Sequence, residues 1–142
     1  FFFAITVACL EHCADEKTVG LYIDWFGDDN VVFSTDYPHP DSKFPKHRAG
    51  DLYDMRECKY VTVKPAGEWN HMRIISKGGK VEHWLNNRKV VTYDMNAPEW
   101  QQLIAGSKFK DMPDFGKARK GKIALQDHGD PVWFKNIKIR KL

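Results

Sequence analysis

The middle of the chain alternates short strand-like runs with tight turns, and that rhythm admits few folds. Glu68–Ile75, Lys80–Leu85 and Val90–Met95 read as strands, separated by Lys77-Gly78-Gly79-Lys80 and Asn86-Asn87-Arg88-Lys89. Glycine adopts positive φ freely and asparagine tolerates it, so both connectors read as hairpin turns. Side chains alternate across a strand, which puts Val81, His83 and Leu85 on one face and Glu82 and Trp84 on the other. Towards the C-terminus, Lys122–Gln126 and Val132–Ile139 are again strand-like, with Asp127-His128-Gly129-Asp130-Pro131 between them. This pattern predicts a further hairpin with several polar side chains at one sheet end, where loops commonly carry function. Val132 and Phe134 fall on one parity and Ile137 and Ile139 on the other, which predicts a bulge near Lys135-Asn136.

Ala97–Ala105 is the helix candidate, with Trp100, Leu103 and Ile104 at helical spacing. A long basic loop containing Pro113 and Gly116 follows from Lys108 to Lys120. At the other end, Phe1–Leu10 is an apolar run too short to span a bilayer. It reads as a buried strand or helix, the alternative being the remnant of a secretory signal. Thr18–Phe26 is apolar without a clean period, Gly27–Asn30 is a turn by composition, and Val31–Ser34 reads as a short strand. Strands about every ten residues, turns between them and one short helix point to an all-β antiparallel sandwich.

With 142 residues the chain is the size of one domain with a real core. Its charge of +3 comes from Lys and Arg spread along the sequence, which argues against nucleic-acid binding. Cys9, Cys13 and Cys58 form neither a zinc pattern nor an even disulfide framework. The sequence has no Gly-x-Ser-x-Gly elbow and no phosphate-binding glycine loop followed by Lys-Ser/Thr, which disfavours a serine hydrolase or a P-loop nucleotidase.

Two stretches carry resemblances. Ile23–His39, with Asp36 in its loop, resembles the late strand and loop of metal-dependent amidohydrolases. That enzyme class needs a barrel of about 250 residues and several further ligands, so Asp36 is read as a turn residue. From His39 onward a different series appears: His39-Pro40-Asp41-Ser42-Lys43, His47–Asp54, Lys64–Asn70, His83–Asn86, Ser107-Lys108-Phe109, Leu125–Gly129 and Val132–Ile137. In order and wording, this series resembles the 3-keto-disaccharide hydrolase domain over roughly residues 39–142. The resemblance implies a concanavalin-like antiparallel β-sandwich, a jelly roll, with residues 1–38 as an atypical N-terminal segment of a single domain. One departure stands out. Where the family carries a Glu-aromatic-Gln strand before His-Pro-Asp, this chain has Asn30-Val31-Val32-Phe33-Ser34-Thr35-Asp36-Tyr37-Pro38.

The implied substrate is a glycoside oxidised at its third carbon. The ketone acidifies the neighbouring C2 proton; a base removes it, the enolate expels the glycosidic oxygen, and water then adds. Such a site needs a base, a group that stabilises the enolate and groups that hold the sugar. The resemblance points to His128 as base or ligand, with Asp127 orienting it and His83 as a second catalytic candidate. His128 equally suits a turn histidine bonded to backbone, and His83 a core histidine. Arg48 and Tyr53 match the Arg-Ala-Gly-x-Leu-Tyr-Asp segment, and with Glu82 and Trp84 they are candidates for holding the saccharide. A divalent metal would serve the enolate, with His39 and Asp41 as ligands, although His-Pro-Asp is also a good turn. Asn70 and Asn86 read as turn and strand-end residues. The family implies a periplasmic or extracellular setting. Two other classes stay open: a non-catalytic module that binds a saccharide or protein, and a domain that self-associates, with the apolar Phe1–Leu10 run as a sheet edge or interface.

Overall fold

The computed structural model describes residues 2–9, 22–23, 46, 48–65, 67–118, 123–125 and 132–142. Among the described residues, seven strands and a helix run in the order β1 (Phe2–Cys9), β2 (Tyr22–Ile23), β3 (Asn70–Lys77), β4 (Lys80–Leu85), β5 (Arg88–Asp94), α1 (Pro98–Ala105), β6 (Ile123–Ala124) and β7 (Val132–Arg140). Five strands form one antiparallel sheet in the order β5-β4-β3-β1-β7, and β2 pairs with β6 in a separate two-stranded ladder. Among the described residues no helix is long and apolar enough to cross a membrane.

The two central hairpins form where their turn residues predict. Gly78 and Gly79 have φ of 57° and 83°, and Asn86 and Asn87 have 51° and 66°. Consecutive positive φ values match the right-handed twist of the flanking strands, so each turn returns the chain directly into the ladder. At the second turn, the Asn86 backbone N–H donates to the His71 carbonyl while its side-chain oxygen accepts the His71 N–H at 2.9 Å. Its amide donates to the Thr62 carbonyl at 2.7 Å and to Asn70 Oδ1 at 2.8 Å. Asn70 and Asn86 are thus joints between the sheet and the segment before it.

One sheet face is dry. Met72, Ile74, Val81, Leu85, Val91 and Tyr93 are buried on it, and Leu52, Met55, Trp100 and Ile104 are among the buried residues that pack with them. Burying a side chain of this size stabilises by about 1.5–3 kcal/mol. Helix α1 begins on Pro98 and buries Trp100 and Ile104, whose i, i+4 spacing gives it one core-facing stripe. Opposite Ala4 and Thr6 of β1, strand β7 contributes Lys138 and Lys135, a register shift that inserts one extra residue. Asn136 within it has φ of 55°. The bulge brings Phe134, Ile137 and Ile139 all into packing against the core, which the parity change required.

Two expectations are corrected. The runs around β6 and β7 do not form a hairpin with each other: β6 pairs with β2 and β7 with β1. The polar connector between them suits a turn, but β1 offers β7 a full-length partner that β6 does not. Nor is the apolar N-terminal run a sheet edge, because β1 lies between β3 and β7 and is bonded on both sides. Among the described strands the edges are β5 and β7.

Candidate functional site

The segment Arg48–Asp54 folds back across the dry face of β4 and β5. Its fixed point is Asp51, whose carboxylate accepts the Cys58 N–H at 2.6 Å and the Arg48 N–H at 2.8 Å while buried. A buried carboxylate needs such donors, and two backbone amides supply them and close the loop. Leu52 and Arg56 exchange backbone bonds of 2.9 Å, which tightens the turn further. Gly50 has φ of 92°, and a β-carbon there would stand 3.1 Å from both Cys58 Sγ and a Val90 methyl. A residue without a side chain is therefore required where the loop meets the sheet.

The Gly50 carbonyl lies 3.1 Å from His83 Nδ1, and since a carbonyl only accepts, that nitrogen carries the proton. His83 is fully buried, and burial pushes its imidazolium pKa down to about 4, against the opposing pull of the Gly50 carbonyl and Asp51. The neutral ring meets Tyr93 edge-on at 5.6 Å, and Tyr93 stacks on Trp100 at 5.4 Å. Loop, sheet and helix are thereby joined through one line of rings. Burial, followed by the Asp51 carboxylate, raises the pKa of the Cys58 thiol and holds it protonated.

The far end of the loop is held by the turns after α1. Asp54 Oδ2 accepts the Lys108 N–H at 2.6 Å, and Arg56 donates to the Thr92 carbonyl at 2.6 Å and pairs with Glu99. The Lys108 ammonium sits 4.1 Å from the centre of the Tyr53 ring. Phe109 lies 6.5 Å from Tyr53 and stacks on Phe115 at 4.1 Å. The sequence segments containing Arg48–Asp54 and Ser107–Phe109 thus meet in space. Arg48 reaches Glu57 at 3.2 Å and lies 3.7 Å from Asp51, with its side chain 27% exposed.

On the other side of the sheet, Trp84 donates its indole N–H to Glu82 at 2.8 Å, and Lys89 bonds the same carboxylate at 3.0 Å. The Arg73 guanidinium lies 4.1 Å from the Trp84 ring centre. Partial burial pushes the Glu82 carboxyl up, but the Lys89 and Trp84 donors outweigh it and hold it below the usual carboxylate range.

The structure therefore divides the expected residues. Arg48 and Tyr53 belong to the loop on the dry face, whereas Glu82 and Trp84 lie on the opposite face of β4, so the four do not line one saccharide site. The strand parity had already separated Glu82 and Trp84 from His83. His83 itself sits in the core with its Nδ1–H engaged by the loop, which makes it a support for Arg48–Asp54 rather than a group facing a substrate. His128, Asp127, His39 and Asp41 lie outside the described residues, as does the Asp36 turn. Among the described residues no three His, Cys, Asp or Glu side chains converge as a cation site. Asp51, Asp54 and Lys108 were not singled out by sequence reasoning; the signal was their presence in the same motif segments as Arg48, Tyr53 and Phe109.

Residues 26–140 match the 3-keto-alpha-glucoside-1,2-lyase-like domain, and the chain belongs to that family. The match takes in most of the Ile23–His39 stretch, whose wording also resembles an amidohydrolase loop. A 3-keto-disaccharide hydrolase of Bacteroides thetaiotaomicron is 36% identical over 117 residues, covering 73% of this chain; the chain spans 40% of that relative's length. Two solved structures from Parabacteroides distasonis, provisionally assigned as glycosyl hydrolases, share the fold. One has a TM-score of 0.69 at 24% identity, over 96% of this chain and 67% of the other. The second has 0.58 at 22% identity, over 99% and 77%.

Proposed function

We propose that this domain acts on 3-keto-glycosides and cleaves their glycosidic bond by elimination across C1 and C2. The observation that carries the reading is the family match over residues 26–140, taken with a relative that bears the name of such a hydrolase. Removal of the C2 proton leaves an enolate conjugated with the C3 oxygen; collapse of the enolate expels the C1 substituent, and water then adds to the unsaturated sugar. His128 is the proposed base, with Asp127 orienting its ring. Tyr53 and Arg48 would hold the saccharide from the loop anchored by Asp51 and His83, and the Lys108 ammonium beside Tyr53 adds a positive charge where an enolate oxygen develops.

His39 and Asp41 are chemically suited to a divalent cation, imidazole and carboxylate being ordinary ligands for one. Bound there, such an ion would supply charge stabilisation to the enolate. In this reading the β2–β6 ladder belongs to the second sheet of a concanavalin-like jelly roll, and the whole chain is one domain of a periplasmic or extracellular protein.

Turnover of a 3-keto-glucoside carrying a chromogenic leaving group tests the reading. The expected result is release that falls by about a hundredfold or more in His128→Ala, the usual worth of a positioned base. Loss of the remaining release on chelation would assign the metal as well, and release insensitive to chelation would remove it. Folded protein that binds the sugar without releasing the chromophore would overturn the reading in favour of a binding module. That outcome would trace to the Asn30–Pro38 segment, which lacks the family's glutamate.

A further inference from the structure

Tyr53 and Asp54 grip one residue twice. The Lys108 ammonium sits 4.1 Å from the centre of the Tyr53 ring, and the neighbouring Asp54 carboxylate accepts the Lys108 backbone N–H at 2.6 Å. Two consecutive residues of the loop therefore hold both ends of Lys108, its main chain and its charge, across a separation of 54 residues from Asp54. A bond from an amide to a carboxylate is charge-assisted and correspondingly short.

Neither side of this contact is loose. Asp54 stands at φ of 59°, a left-handed conformation that aspartate tolerates better than most side chains, and its own N–H donates to the Lys46 carbonyl at 2.9 Å. On the other side, Ser107 is buried, and its hydroxyl donates to the Ile104 carbonyl at 2.8 Å while accepting the Phe109 N–H at 3.1 Å. The Lys110 N–H returns to the Ser107 carbonyl at 3.2 Å. The residues around Lys108 are thus pinned at the end of α1, and the Lys108 N–H is the one that reaches across to the loop. Lys108 is exposed and Asp54 half-buried, so the consequence of their bond is geometric more than energetic. A lysine stem is flexible and holds its charge in one place poorly by itself. Fixing the main chain removes one source of that freedom, and the ring removes another.

We propose that Asp54 is a positioning residue for the reaction. By holding the Lys108 amide it sets where the Lys108 ammonium stands beside Tyr53, and so where positive charge meets the enolate oxygen. The inference rests on the elimination proposed above and adds to it a residue that touches no substrate. A misplacement of about 1 Å by a residue away from the reacting atoms can cost about a hundredfold in rate.

The test is a double-mutant cycle on turnover of the chromogenic 3-keto-glucoside by the whole chain, using Asp54→Gly and Lys108→Ala. Glycine suits the left-handed φ and lacks the carboxylate, so it removes the bond without straining the turn. Asp54→Gly should lower kcat about tenfold with KM within about twofold, as expected when the lost interaction is made in the transition state. Asp54→Asn keeps an acceptor oxygen and tolerates positive φ, and should regain most of the loss. In the Lys108→Ala background Asp54→Gly should cost nothing further, because no ammonium is left to place. If Asp54→Gly lost its circular dichroism signal, Asp54→Ala would be measured in its place, with the same result expected. Equal losses from Asp54→Gly with and without the Lys108 ammonium, or a change in KM alone, would overturn the proposal and leave the bond a structural one. A parent without turnover would overturn the elimination itself, whereas an active parent matched by Asp54→Gly would overturn only this inference.

Discussion

The two faces of β4 are one residue apart and do different work. Val81, His83 and Leu85 are at most 2% exposed and bind the sheet to loop and helix. Glu82 and Trp84, between them, sit half-buried among Arg73 and Lys89. On the inner face every polar atom costs energy unless it is bonded, so His83 donates to Gly50 and Asp51 accepts two amides. On the outer face water screens the charges, so ion pairs there add little to stability. The loop that carries Arg48 and Tyr53 owes its shape to the first environment.

The largest effect that would sharpen this contrast is Leu85→Ala. Removing a fully buried leucine should lower unfolding free energy by about 2–5 kcal/mol in a denaturant titration. A loss under about 1 kcal/mol would mean that the inner face is not the packed core described. Next comes a pH effect from His83. Its folded pKa of about 4 lies below the free value of 6.5, so the unfolded chain binds the proton more readily. Its contribution is fully present above pH 6.5 and is lost as pH falls from there through about 4, at most about 3 kcal/mol in all. His83→Gln should flatten that part of the pH profile of stability; an unchanged profile would place the ring in water. The smallest effect belongs to the outer face, where Lys89→Gln should change stability by less than about 1 kcal/mol, and a larger loss would break the contrast.

Much of this architecture was legible because it is local. The Gly78-Gly79 and Asn86-Asn87 turns announce themselves through φ, and the phase change after Phe134 required the bulge that Asn136 provides. What was not legible is non-local. Nothing in Phe2–Cys9 shows that it inserts between β3 and β7, since an unbroken apolar run carries no register. The β6–β7 connector looks like a hairpin turn because turn chemistry does not reveal which strand a neighbour will pair with. At the candidate site, the burial of Asp51 depends on amides brought from Arg48 and Cys58, and the meeting of Tyr53 with Lys108 spans two separate segments. Spacing along the chain shows neither.

The most direct test of the account compares turnover of the chromogenic 3-keto-glucoside by Arg48→Gln and by Arg73→Gln. The first alters the loop on the inner side and the second the outer face. The account predicts that Arg48→Gln lowers kcat/KM by about tenfold to a hundredfold through lost positioning of the sugar. Arg73→Gln should leave it within about twofold, because Arg73 packs on Trp84 on the opposite face of the sheet from the loop. A large loss in Arg73→Gln with Arg48→Gln unaffected would place the reaction on the outer face and contradict the assignment.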